Sequence, residues 1–245
     1  MTGTITIAPR FCGPPGMGNG GYVAGRLADH LDGQAEVTLR RGTPLGRPLT
    51  VLPDGDGVRL LDGGSVIAEA RPAAPVLCDA RPAAHAEAVL AATAPVVPEA
   101  LHPLPHCFVC GPARAPGDGL FIYPGPLAGA ALPTLAAPWI PERDLAAADG
   151  LVAPAFVWAA LDCPGGFAVL WGAAEGAVLL GRLAVTIERR PAVGEPCAVT
   201  AWASGREGRK LYAGSALFGS DGAPIARGRA VWILVDPSKL HAGAG

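Results

Sequence analysis

Charge is scarce in this chain. Only 16% of its 245 residues are Asp, Glu, Lys or Arg, and the formal net charge is -2. So even a balance leaves no basic face for nucleic acid. Unbroken apolar runs are lacking too. The most apolar stretch, Leu151 to Val185, is interrupted by Asp162, Pro164, Gly165 and Glu175, which reads as a buried helix and strand and not as a membrane span. The opening MTGTITIAPRFCG has no charged-then-apolar organisation of a signal peptide and is soon broken by Pro and Gly. Six cysteines in such a chain read as reduced thiols, and a cytoplasmic location is expected.

What the chain does have is one pattern twice. Glu36 to Pro48, EVTLRRGTPLGRP, superimposes without a gap on Ala184 to Pro196, AVTIERRPAVGEP, at a constant offset of 148. Upstream, GYVAGRLA (Gly21 to Ala28) matches AFVWAALD (Ala155 to Asp162), which pairs Tyr22 with Phe156 and Leu27 with Leu161. Downstream, IAEAR (Ile67 to Arg71) matches IARGR (Ile225 to Arg229), with about ten extra residues in the second copy. Three matched blocks in one order point to two copies of one domain, and the length suits two small domains. The expected boundaries are a shorter, degenerate first unit at 1–75, an Ala/Pro-rich linker at 76–103 and a second unit at 104–238.

Each copy reads as a helix followed by strands. In GNGGYVAGRLADHL, Asn19 is the expected N-cap, and Val23, Leu27 and Leu31 recur every four residues on one helical face. Strands AEVTLRR, PLTVLPD, GVRLLDG and SVIAEAR follow, with hairpin signals at Asp54-Gly55 and Asp62-Gly63. The linker carries a short helix at AHAEAVLAAT. The second copy is expected to open with a GLFIYP strand and LAAPWIP, continue through the helix LVAPAFVWAALD, and return to four strands with a last hairpin at Asp221-Gly222. A long buried helix with an antiparallel meander is an α+β unit whose sheet wraps the helix.

The segments FCGPPGMGNGGYVAGRLA, HCFVCGPARAPGDGL and WAALDCPGG, in this order and duplicated, make the chain resemble hotdog-fold acyl-CoA thioesterases in their double-hotdog arrangement. The resemblance covers nearly the whole chain. It implies two antiparallel sheets, each wrapping a long central helix, and hydrolysis of an acyl-CoA or related acyl thioester without a cofactor. Hotdog proteins also dehydrate or hydrate acyl thioesters, or bind acyl groups without chemistry, so the fold does not choose among these.

Thioester hydrolysis needs donors for the developing oxyanion and a carboxylate that activates water or attacks the carbonyl. The first amides of a helix are unpaired donors at the positive end of its dipole, a role that Asn19, Gly20 and Gly21 fit. The family often has His-Gly-Gly here, so Asn19 departs from it. Asp162 is the expected acid, since a carboxylate on an apolar helix is costly to bury without a purpose, and related thioesterases place an acid there. At the helix offset of 134, Asp162 aligns with Ala28, and Gly20 aligns with Pro154, which has no amide hydrogen. One composite site is therefore expected, with Gly20 and Gly21 facing Asp162 across the two halves. Thr186, on the strand after that helix, matches a position that helps hold the attacking water in double-hotdog thioesterases.

Arg189, Arg209 and Lys210 are the expected contacts for CoA phosphates, with Asn19 also near the substrate. Cys163, beside Asp162, reads as a structural thiol, because no His is close in sequence to activate it. Cys107-Phe-Val-Cys110 offers two of the four ligands of a structural zinc, and His102 and His106 just upstream are candidates to complete the set, with Pro103 and Pro105 constraining their geometry. Related sequences carry CxxCGP as a turn, and no metal is expected. A lyase usually needs an acid/base pair that includes His. None of the five histidines lies on the Asp162 helix or its following strands. The expected partner is an acyl thioester, with neither nucleic acid nor membrane, and association of double-hotdog units stays open.

Overall fold

The structure, a computed structural model, describes residues 3–78, 82–171 and 176–240. Its first half contains β1 (Gly3–Thr6), α1 (Gly20–Ala28), β2 (Ala35–Leu39), β3 (Pro48–Asp54), β4 (Gly57–Asp62) and β5 (Ser65–Pro72). α2 (His85–Ala92) follows. The second half contains β6 (Gly125–Pro126), β7 (Leu135–Trp139), α3 (Pro154–Ala160), α4 (Cys163–Leu170), β8 (Ala177–Ile187), β9 (Cys197–Glu207), β10 (Lys210–Phe218) and β11 (Pro224–Val235).

Among the described residues all named strands join one antiparallel sheet of eleven, ordered β1-β3-β4-β5-β2-β8-β11-β10-β9-β7-β6. The expectation of two sheets is corrected by the central pairing, in which Ala35–Thr38 of β2 bond edge to edge with Arg182–Val185 of β8. Joining the two edges removes open strand edges that would otherwise invite other chains. Within the sheet the strands alternate as half-buried strands should: Leu49 and Val51 of β3 are buried between exposed Pro48, Thr50 and Leu52.

The register reproduces the sequence repeat. Ala35 faces Val185 and Val37 faces Leu183; a shift of 148 exchanges these pairs and leaves Glu36–Ala184 in place, so a local twofold passes beside that pair. Loop contacts obey the same operation. Gly46 N–H donates to Ile7 O as Gly194 N–H does to Pro141 O, and Gly18 N–H donates to Thr43 O as Val152 N–H does to Pro191 O. The operation also relates β1 to β7, because Gly3 faces Val51 and Ala137 faces Val199. Sequence reading had missed β1, whose GTIT carries too few apolar residues to stand out.

Helices α1 and α3 cross on this axis through small residues. A β-carbon on Gly21 would lie 3.0 Å from Ala159 Cα, and one on Gly25 would lie 2.6 Å from Ala155 Cα. The twofold exchanges these two contacts. Around them Phe11, Tyr22, Phe108 and Phe156 form an aromatic cluster with ring centroids 4.1 to 6.2 Å apart.

Two expected elements differ. GLFIYP is not a strand: Leu120 and Ile122 are buried, but their amides donate to Phe108 and Val109 of the cysteine loop, and Phe121 adopts φ 54°. The helix LVAPAFVWAALD, expected to end at Asp162, ends at Ala160, and a second helix not expected follows. Asp162 sits at their junction, where Pro164 cannot supply an amide to α3 and instead lies in the first turn of α4. The expected linker contains α2, whose Ala88 and Ala91 share a small core with Ala83, Leu127, Ala136 and Ala198.

Candidate active site

Asn19 caps α1, its Oδ1 accepting from the Tyr22 amide at 2.9 Å. With the oxygen engaged there, its Nδ2 faces the second half and donates to Asp162 Oδ2 at 3.1 Å. The Gly21 amide donates to the same oxygen at 2.8 Å. Asn19 and Asp162 are both 2% exposed. The carboxylate thus closes the N-terminus of a helix 141 residues away in sequence, where the positive end of the helix dipole favours negative charge.

Only one carboxylate oxygen is used in this way. Asp162 Oδ1 is buried with no protein partner among the described residues. Burial pushes the Asp162 carboxyl up to about 7, against the hydrogen bonds from Gly21 and Asn19 that pull it down. An acid whose pKa lies near neutrality can take a proton in one step and return it in the next.

Gly20 presents the other half of the chemistry. The Gly21 amide is occupied by Asp162, the Tyr22 amide by Asn19 Oδ1 and the Val23 amide by Asn19 O. The Gly20 amide has no partner among the described residues, and Gly20 is half-exposed on the wall of a cavity of about 300 Å³. The same cavity is lined by Asp162 and Cys163 and by apolar Leu39, Leu180, Trp232 and Ile233. A β-carbon at Gly20 would lie 2.9 Å from Leu180 Cδ2 and 3.1 Å from Leu39 Cδ1, so glycine keeps a narrow passage to the amide open.

The structure therefore brings Asn19, Gly20, Gly21 and Asp162 together from two halves. Gly21 differs from the expectation in its partner: its amide holds the carboxylate and is not free for a substrate oxygen. Thr186 is not brought to the cleft. Its Oγ1 accepts from the Val76 amide at 2.7 Å and fastens the segment that crosses the sheet. Arg189 is also elsewhere, ion-paired to Glu195 at 2.6 Å and lining a different cavity. Arg209 and Lys210 are exposed at the β9–β10 hairpin; Lys210 pairs in register with the cleft residue Ile233, but neither residue lines the cleft.

Sequence reading missed Arg40 and Arg41 at the cleft mouth. Arg40 is ion-paired to Glu69 at 2.9 Å, whereas Arg41 is exposed and has no ion-pair partner among the described residues. The signal was available, because Arg41 is the repeat partner of Arg189 and lies on the copy that supplies Gly20.

Cys163 and Cys107 line the cleft next to Asp162, their sulfurs 3.7 Å apart, and Cys110 is buried beside them. Hydrogen bonds from the Cys110 and Cys163 thiols hold Cys107 well below the usual thiol range, against the effect of burial. His102 and His106 do not join this group. His102 Nδ1 accepts from the Leu104 amide, and its ring lines a separate cavity of about 170 Å³.

No family model and no curated protein matches this chain. Its fold is shared with solved structures. A candidate thioesterase II from Thermobifida fusca is 16% identical, with 96% of this chain and 92% of that one covered and a TM-score of 0.57. A tesB protein from Mycobacterium avium subsp. paratuberculosis is 11% identical over the same shares, with a TM-score of 0.60. A candidate thioesterase from Novosphingobium aromaticivorans is 18% identical, covers 96% and 95%, and has a TM-score of 0.56. Among the described residues no helix is long and apolar enough to cross a membrane.

Proposed function

We propose that this protein is a double-hotdog thioesterase that hydrolyses an acyl-CoA or related acyl thioester at the cleft between α1 and α4. The observation that carries this reading is that one largely apolar cavity is lined both by Asp162, whose buried Oδ1 has no partner among the described residues, and by Gly20, whose amide at the start of α1 is likewise unpartnered there.

The steps follow from those groups. The acyl chain lies against Leu39, Leu180, Trp232 and Ile233, and its thioester carbonyl oxygen accepts from the Gly20 amide. As the carbonyl carbon becomes tetrahedral, negative charge grows on that oxygen, where a preorganised donor stabilises the transition state more than the ground state. Asp162 Oδ1 removes a proton from a water that attacks the carbon; alternatively it attacks directly and the resulting anhydride is hydrolysed. In the first route collapse expels the thiolate and the proton held by Asp162 neutralises it; in the second the thiolate leaves as the anhydride forms and takes its proton from water, whose hydroxide then completes hydrolysis of the anhydride. The bonds from Gly21 and Asn19 engage Oδ2 and leave Oδ1 as the oxygen available to react. The substrate's phosphates meet Arg41 at the mouth.

A burial-driven carboxylate in a cleft argues against the reading of a noncatalytic acyl-binding module, which would leave Asp162 exposed or salt-bridged. The hydratase or dehydratase reading loses support because no histidine is among the cleft's described lining residues. The test is chromatographic detection of free CoA from a panel of acyl-CoAs varied in chain length and ring content, with wild type and Asp162→Asn in parallel. Release by the wild type and its loss in the variant are expected. Equal release by both, or none from any thioester, overturns the proposal.

A further inference from the structure

The sulfurs of Cys107, Cys110 and Cys163 all lie within 4.8 Å of one another. Sequence spacing offered the first two with His102 and His106 as candidate partners; the third ligand comes instead from the start of α4, 53 residues beyond Cys110. The hydrolytic steps above use none of them. Their arrangement differs in three ways from incidental packing of buried thiols.

The first is distance. Four sulfurs around zinc at about 2.3 Å in a tetrahedron are about 3.8 Å apart along each edge, and Cys107 and Cys163 stand 3.7 Å apart without being bonded. The second is backbone preparation for negative sulfur. The tight turn from Cys107 to Gly111, where the Gly111 amide donates to Cys107 O at 2.8 Å, needs glycine, because a β-carbon there would fall 2.5 Å from Cys107 N and O. Cys163 opens the eight-residue α4, so its sulfur lies at the positive end of that helix. Asn19 Nδ2 also faces two of the sulfurs, at 3.9 Å from Cys107 and 3.8 Å from Cys163. The third is an open side. Cys107 and Cys163 line the cleft beside Asp162, whose buried Oδ1 has no partner.

The geometry points to a zinc site formed by Cys107, Cys110 and Cys163, with its fourth coordination position facing the cleft. Three cysteine sulfurs so close together can all be ionised only around a cation, and soft thiolate donors in a tetrahedral arrangement select zinc. An open position is the arrangement of zinc sites that bind a water or a ligand, whereas purely structural sites are closed by a fourth side chain.

The test uses the full chain, isolated under reducing conditions and reconstituted with Zn²⁺ alone. About one zinc per chain is expected by elemental analysis. Co²⁺ in its place should give thiolate-to-metal charge transfer in the near ultraviolet and intense visible bands of tetrahedral cobalt. Cys163→Ser should weaken metal binding at least tenfold, while Cys12→Ser, outside the cluster, should not change it. Should the cluster variant fail to fold, alkylation of the wild type decides: zinc should protect Cys107, Cys110 and Cys163 and leave Cys12 reactive. A reconstituted protein without metal, cobalt without charge-transfer bands, protection that does not map to these three residues, or a Cys107–Cys163 disulfide in place of metal each overturns the site.

Discussion

The cleft that holds Asp162 has a counterpart across the twofold, lined by Ala28, Asp29, Gly33, Pro154, Ile187, Glu188 and Arg189. Position by position these replace Asp162, Cys163, Gly181, Gly20, Leu39, Arg40 and Arg41. The counterpart is the larger cavity, about 540 Å³ against about 300 Å³, so volume does not separate the two. Chemistry does. One cleft pairs a donor amide with a carboxylate; the other has a proline without an amide hydrogen opposite a methyl group. Each half thus carries one partner of a single site, while the helix crossing and the sheet junction keep the twofold.

The largest effect that sharpens this contrast is on turnover. Asp162→Asn should lower kcat by about 10²–10⁴-fold, the range for loss of a general base, with the folded structure retained. Ala28→Asp should add no activity, because Pro154 offers no oxyanion donor to the new acid. Steady-state rates of both variants and of the double variant measure this. Restored turnover in the double variant would mean that the second cleft is also competent.

Next in size is a stability effect with a defined pH window. A carboxyl raised from 3.8 to about 7 by burial holds its proton more tightly folded than unfolded. Its contribution is therefore full below about pH 4 and lost as pH climbs towards 7, with an upper bound of about 4 kcal/mol. Asp162→Asn should match the wild type near pH 4 and be more stable at pH 8, in denaturant melts with a metal chelator present. A gap that does not change between those pH values would show that the carboxyl is not destabilised by burial.

A third comparison concerns the helix crossing. A methyl group at Gly21 would meet Asp162 Cβ at 2.5 Å and Trp158 O at 2.7 Å, neither of which is the free end of a flexible chain. Gly21→Ala should therefore cost about 1–3 kcal/mol from overpacking, and the activity lost would follow the displaced carboxylate. Its twofold mate Ala155 already carries the methyl, so Ala155→Gly should cost no more than about 1 kcal/mol, the helical penalty of glycine. Equal costs at the two positions would deny the asymmetry between the halves. Valine at Gly21 would not probe the acyl carbonyl, because it would strike α3 before it reached a substrate.

Much of the frame was legible because repeats carry long-range information that single elements lack. Offsets of 148 and 134 are the very shifts that the β2–β8 register and the paired loop bonds obey, and the absence of an acid at Ala28 was visible in the letters alone. What the letters could not show depends on side-chain direction. The Gly21 amide was expected to face a substrate but faces Asp162. Thr186 lies on the correct strand, yet its hydroxyl is turned to Val76. Cys163 looked isolated because its sulfur neighbours are more than fifty residues away. The break at Asp162 had a local signal in Pro164, but the burial of that aspartate depended on a partner helix from the other half.

The smallest effect separates two arginines that the repeat makes equivalent. Arg189 is fixed by Glu195 on the wall of the second cavity, whereas Arg41 is exposed at the first with no ion-pair partner among the described residues. An exposed charge meeting a phosphate contributes about 1 kcal/mol, so Arg41→Ala should raise KM for an acyl-CoA about fivefold and leave kcat unchanged. The effect should shrink with added salt, since charges in water are screened. Arg189→Ala should leave KM unchanged and cost at most about 1 kcal/mol of stability through the lost surface pair. The salt dependence of KM for both variants distinguishes the two positions. If Arg189→Ala raises KM while Arg41→Ala does not, the phosphates lie at the second cavity, and Asp162 and the substrate's nucleotide end are on opposite sides of the twofold.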